Sequence, residues 1–211
     1  MPKVKICGLR RPEDITYVNK YLPEYAGFIF AESKRRVMPE LAAALAANLD
    51  GRIRKAGVFV NETAEKVVEV AGGCGLDVIQ LHGDEPPEYV EELKRRLLDG
   101  KKEIKLWKAF RVKDAESLSK MKDYGVDAFV LDAYAEGSYG GSGKVFDWNL
   151  AMKAGKYGKI VLAGGLDAGN AWKAIGTLQP FALDVSSGVE TGGCKDERKI
   201  REFINTVRSY G

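Results

Sequence analysis

A chain of 211 residues, 45% of them hydrophobic, can bury a sizeable core, and one domain spanning 1–211 is expected. Its 33 basic and 30 acidic residues are interspersed and leave a net charge of only +3, a solvated, ion-paired surface that gives no support to nucleic-acid binding. No apolar run is long enough to span a bilayer and the start, Met1-Pro2-Lys3-Val4-Lys5, carries no signal-peptide pattern, which argues against a membrane protein and for a cytoplasmic one.

Apolar runs bounded by turn residues recur at 4–6, 26–30, 56–60, 78–81, 104–110, 128–131, 160–163 and 181–185, continuous in the manner of strands buried on both faces. Helical periodicity fills the intervals. The spacing predicts helices over 12–22, 39–49, 63–71 after a cap at Asn61, and 87–98, which opens on proline and closes on Arg95 and Arg96. Further helices are expected over 115–124 after Asp114, 168–175 after Asp167 and 197–207 after Asp196, with a two-turn pattern between 147 and 156. Uninterrupted alternation of strand and helix means a parallel sheet with helices outside. Eight such units in about 200 residues, with no Gly-x-Gly-x-x-Gly after the first strand, favour a closed (β/α)8 TIM barrel over an open doubly wound sheet. The cysteines Cys7, Cys74 and Cys194 are odd in number and far apart, against a disulfide framework.

The last two strands end alike. One runs into Gly164-Gly165-Leu166 and the other into Ser186-Ser187-Gly188, where a positive φ at Gly188 would let a ligand approach the backbone. Two consecutive strands ending in glycine turns read as a phosphate cradle built from backbone N–H groups, since neither loop contains lysine or arginine. The glycine-rich segment 136–144, directly after the sixth strand, is flexible enough to be a lid.

Active sites of barrels sit at the strand C-termini. There the first strand offers Lys5 and Cys7, the second Phe30 and then Ser33-Lys34-Arg35, the fourth Gln80 and His82, the fifth Lys108, the sixth Asp132 and the eighth Asp184. Cys7 is either a small core hydrophobe or a thiolate nucleophile or base. Asp132 is a structural cap or a general acid. Arg35 belongs to a solvated face or pairs bidentately with a carboxylate. His82, the single histidine and without an acidic pair beside it, makes no persuasive metal site; it donates a hydrogen bond in the pocket or packs under a loop.

Lys5-Ile6-Cys7-Gly8, Gly27-Phe28-Ile29-Phe30, Ser33-Lys34-Arg35, Gly57-Val58-Phe59-Val60-Asn61, Gln80-Leu81-His82-Gly83, Gly140-Gly141-Ser142-Gly143-Lys144 with Phe146-Asp147-Trp148, Ala163-Gly164-Gly165-Leu166 and Asp184-Val185-Ser186-Ser187-Gly188-Val189-Glu190 together resemble the phosphoribosylanthranilate isomerases of tryptophan biosynthesis, in order and over nearly the whole chain. The resemblance implies an Amadori rearrangement of N-(5-phosphoribosyl)anthranilate to 1-(2-carboxyphenylamino)-1-deoxyribulose 5-phosphate, with no cofactor and no metal. It implies Cys7 as general base and Asp132 as general acid. Arg35 would meet the anthranilate carboxylate, His82 and Asp184 would bind the substrate, and Gly164, Gly165, Ser186, Ser187 and Gly188 would hold the phosphate. The base role needs a depressed thiol pKa, for which Lys5 is one source. Arg36 stands where the family usually has an aromatic residue, at the entrance to the anthranilate pocket. A histidine-pathway isomerase would require an aspartate where Cys7 stands, and a ribulose-phosphate epimerase would require more histidines than His82. A non-catalytic barrel binding a phosphometabolite would not need Cys7 and Asp132 together. The expected partner is the phosphosugar alone, bound by a monomer or homodimer.

Overall fold

Side chains alternate across each strand, and here one face looks into a barrel and the other into a surrounding layer of helices. The computed structural model describes residues 1–98, 103–110, 118–132 and 152–210. Eight parallel strands close on themselves: β1 (Lys3–Cys7), β2 (Tyr25–Ile29), β3 (Arg54–Phe59), β4 (Val78–Leu81), β5 (Lys105–Phe110), β6 (Ala128–Asp132), β7 (Ile160–Ala163) and β8 (Ala182–Val185), with β8 returning to pair with β1. All eight expected strands are present, each within two residues of its expected ends. Val4, Ile6, Phe28, Ile79, Leu81, Phe129, Leu162 and Leu183 point outward into the larger core. Tyr25, Ala56, Val78, Trp107, Ala128, Val130, Val161 and Ala182 form a separate inner core, where the rings of Tyr25 and Trp107 meet edge-on at 4.9 Å. Small alanines opposite two large aromatics fill the narrow interior without strain.

The helices are α1 (Pro12–Tyr21), α2 (Pro39–Ala47), α3 (Ala64–Gly73), α4 (Pro87–Leu98), α5 (Ala171–Leu178) and α6 (Glu197–Ser209). In α6 the Asp196 carboxylate accepts the backbone N–H of Lys199, and Ile200, Phe203, Ile204 and Val207 recur at helical spacing to bury one stripe. Two starts differ from expectation. Thr63, rather than Asn61, caps α3, because Asn61 takes a positive φ of 50° and turns its amide oxygen to the N–H of Asp84. Helix α5 begins at Ala171 rather than 168, because Asp167 first closes a turn by accepting the N–H groups of Gly169 and Asn170. The helix expected over 115–124 falls partly outside the described residues, and its described end is a 3₁₀ turn, Lys120–Asp123. The two-turn pattern over 147–156 likewise begins outside them and ends in a 3₁₀ turn at Gly155–Tyr157. The glycine-rich segment 136–144 lies wholly outside the described residues. After β8 comes an unexpected two-stranded ribbon, β9 (Glu190–Thr191) and β10 (Cys194–Lys195), joined through Gly192 and Gly193 at positive φ. No described helix is long and apolar enough to cross a membrane.

Phe203 is fully buried between α6 and the barrel. Phe203→Ala is expected to lower unfolding free energy by about 3–5 kcal/mol, read by urea denaturation.

Candidate active site

A lysine inside a barrel has to find acceptors there. Lys5, with no exposed surface, donates to Asp184 at 2.6 Å and to the Gln80 side-chain oxygen at 3.0 Å. Lys5 and Asp184 are direct partners in the β1–β8 register, so the ion pair sits on the seam that closes the barrel. An ammonium offers donors alone, so Gln80 must turn its oxygen to Lys5 and its NH₂ to Nδ1 of His82, 3.0 Å away. In the neutral ring the hydrogen then sits on Nε2, which faces Asp132 at 3.7 Å. His82 therefore has an acidic neighbour after all, supplied by β6, which sequence proximity did not disclose. A polar chain, Asp184–Lys5–Gln80–His82–Asp132, thus crosses the upper barrel from β8 to β6. The second oxygen of Asp184 is buried and has no hydrogen-bond partner among the described residues.

Cys7 lies two residues after Lys5 on the same face of β1 and is 6% exposed. A Cβ on Gly27 of β2 would stand 2.8 Å from its sulfur, so the glycine makes room for the thiol. Burial pushes the thiol above its ordinary value of 9.0, and the nearby charge of Lys5 pulls against that shift without reversing it. The depressed pKa expected from Lys5 is therefore not found. For Lys5 itself, burial opposes the charge, but the attraction of Asp184 and then of Cys7 more than offsets it, and its pKa is raised.

Arg35 reaches the mouth from the β2–α2 loop across Gly8, whose φ is +83° and whose missing Cβ would lie 2.7 Å from the arginine stem. Its Nε and Nη2 donate to the two oxygens of Glu190 at 2.7 and 2.8 Å. Glu190 also accepts from Lys195 at 2.8 Å, and Lys195 donates to the carbonyl of Ser186 at 2.9 Å. Glu190 was part of the motif but carried no expected role, and Lys195 was not singled out. Their one local signal is a carboxylate and a lysine flanking a diglycine, which is weak. Below His82, buried Lys108 donates to the carbonyl of Gly83 and to Glu85, while Glu85 accepts the N–H groups of Asn61 and Gly83. This pair holds the loop after β4.

The two glycine loops stand side by side. Gly164 and Gly165 have φ of 86° and 63°. A Cβ on Gly165 would meet nothing within 4 Å, whereas one on Gly188 would stand 1.9 Å from the carbonyl oxygen of Leu166. Gly188 lacks the positive φ expected of it and lies in a 3₁₀ turn, Ser187–Val189; it is glycine because the β8 loop presses its backbone onto the β7 loop. Ser187 is exposed, while the Ser186 hydroxyl donates to the carbonyl of Cys7 at 3.0 Å and so ties the cradle to the end of β1. Among the described residues no cluster of three or more His, Cys, Asp or Glu side chains could hold a metal ion.

Against known proteins, the model of the N-(5'phosphoribosyl)anthranilate (PRA) isomerase family matches residues 4–206. The N-(5'-phosphoribosyl)anthranilate isomerase of Acetivibrio thermocellus is 55% identical over 210 residues, 99% of this chain and 96% of the relative. The crystal structure of phosphoribosyl anthranilate isomerase from Thermotoga maritima superposes with a TM-score of 0.87 at 37% identity, covering 99% of this chain and 100% of that one. A phosphoribosyl anthranilate isomerase in complex with reduced 1-(o-carboxyphenylamino)-1-deoxyribulose 5-phosphate superposes with a TM-score of 0.85 at 34% identity, over 99% and 100% of the two chains. With the model match spanning nearly the whole barrel, the chain belongs to the N-(5'-phosphoribosyl)anthranilate isomerase family.

Proposed function

We propose that this barrel, a single domain over 1–211, converts N-(5-phosphoribosyl)anthranilate to 1-(2-carboxyphenylamino)-1-deoxyribulose 5-phosphate in tryptophan biosynthesis, with Asp132 as general acid and Cys7 as general base. The observation that carries the assignment of roles is that a thiol and a carboxyl end β1 and β6 at one barrel mouth, with the chain from Lys5 to His82 between them. The Asp132 carboxyl gives its proton to the furanose oxygen as the anilino nitrogen lone pair forms C1=N and the C1–O bond breaks. The Cys7 thiolate then removes the proton on C2, and the electron pair moves through C2–C1 to neutralise the iminium. The enol so formed becomes the ketone by tautomerisation, and solvent restores the carboxyl and thiolate. Both steps are proton transfers between the protein and a single substrate, which is isomerised with no net oxidation or reduction, so the chemistry calls for no cofactor. Each positioned transfer is worth on the order of 10² to 10⁴ in rate.

The other roles follow from donors and acceptors. Arg35 meets the anthranilate carboxylate; His82 offers its Nε2–H; and the unpartnered Asp184 oxygen accepts a sugar hydroxyl. Gly164, Gly165, Ser186, Ser187 and Gly188 frame the phosphate, and the contact between the two loops at Gly188 and Leu166 supports that reading. The protein works in the cytoplasm as a monomer or homodimer.

Cys7→Ala is expected to fold normally and lose nearly all turnover, while Cys74→Ser keeps it; near-normal kcat in Cys7→Ala would return the thiol to the core. Asp132→Asn is expected to lower kcat far more than it raises KM, as removal of a transition-state interaction does. Because the active form pairs a protonated Asp132 with a Cys7 thiolate, kcat/KM is expected to trace a bell against pH, and burial, which pushes the thiol above its ordinary value, sets the alkaline edge of that bell. Lys5 pulls the thiol pKa down, so Lys5→Met is expected to move the alkaline edge to higher pH; an edge unmoved by Lys5→Met would separate Cys7 from its lysine.

A further inference from the structure

An arginine presents two bidentate edges, Nε with Nη2 along its side and Nη1 with Nη2 at its end. In this site the side edge of Arg35 is fully taken, with both Glu190 oxygens at 2.7 and 2.8 Å. No described residue accepts from Nη1. Glu190 is in turn held by Lys195, whose side chain is 1% exposed and whose ammonium is anchored on the Ser186 carbonyl. Burial alone would raise the Glu190 carboxyl, but the hydrogen bonds of Arg35 and Lys195 outweigh it and bring it down to about 2. Two cations around one carboxylate leave a net charge of +1, which one further carboxylate neutralises. The stem of Arg35 is confined as well, since it crosses the bare backbone of Gly8 next to Cys7.

From this geometry we infer that Glu190, steadied by Lys195, is a positioning residue: it clamps the side edge of Arg35 so that the end edge is aimed at the substrate's aromatic carboxylate, and it sets the preference for an anilino-sugar that bears one. This rests on the reading of Arg35 as the carboxylate's partner. The clamp is a second carboxylate built into the ribbon after β8, and it acts through Arg35 without touching the reacting atoms.

The test compares two substrates, N-(5-phosphoribosyl)anthranilate and the phosphoribosyl adduct of aniline, which lacks the carboxylate. Arg35→Met is expected to raise KM for the first and leave KM for the second unchanged. Glu190→Gln is expected to raise KM for the first by about tenfold, with kcat near the parent's and KM for the aniline adduct unmoved. The double variant is expected to be no worse than Arg35→Met, since the two residues act as one unit. Should Glu190→Gln fail to fold, Glu190→Asp keeps the charge, shortens the reach by one methylene and is expected to show the same preference in smaller measure. A merely structural Glu190 would alter both substrates alike. If Arg35→Met discriminates between the substrates while the Glu190 variants shift both equally, shift neither, or lower KM for the carboxylated one, the clamp is overturned and the role of Arg35 stands. If Arg35→Met itself fails to discriminate, that role falls and the clamp falls with it.

Discussion

The polar chain that crosses the mouth of this barrel depends on one buried cation. Lys5 has no exposed surface, so its ammonium must be neutralised and hydrogen-bonded inside. Asp184 supplies the charge and Gln80 the second acceptor. From that requirement the orientation of the Gln80 amide follows, then the nitrogen of His82 that carries the hydrogen, then the face His82 turns to Asp132. An ion pair of this kind contributes little net stability once desolvation is counted, and its worth lies in fixing geometry.

A second tied cluster, Arg35–Glu190–Lys195, stands above the same strand end, and a third, Lys108–Glu85, supports the loop after β4. Each joins residues from different βα units, so loops that the helices alone would leave loosely related are cross-braced through charge. Glycine has three separate duties among them. Gly27 leaves volume for the thiol, Gly8 lets the arginine stem cross at positive φ, and Gly188 allows two backbones to touch.

The architecture was legible in the chain because it is written locally: apolar runs of strand length alternate with helical periods, and the eight runs became the eight staves of the barrel. The strand-end residues were legible for the same reason, since a strand's last side chain is known once the strand is. What was not legible is partnership. Glu190 meets Arg35 across 155 residues, and nothing near either announces the other. Asn61 has the composition of a helix cap, yet a tertiary contact with Asp84 claimed it, and Thr63 took the role. The direction of the Cys7 shift was misjudged because proximity to Lys5 is visible in sequence whereas the depth of burial is not.

The pair at the seam also bears on how the molecule is assembled. Lys5 and Asp184 are separated by 179 residues, so the counter-charge belongs to the last stave of the barrel and the cation to the first. A chain lacking β8 can still pair β1 with β2, but it leaves the Lys5 ammonium without its counter-charge. Closing so long a loop is entropically slow, and the reward arrives only when the two ends meet. The charge pair thus favours the closed ring over an open sheet, since only closure brings the carboxylate to the ammonium.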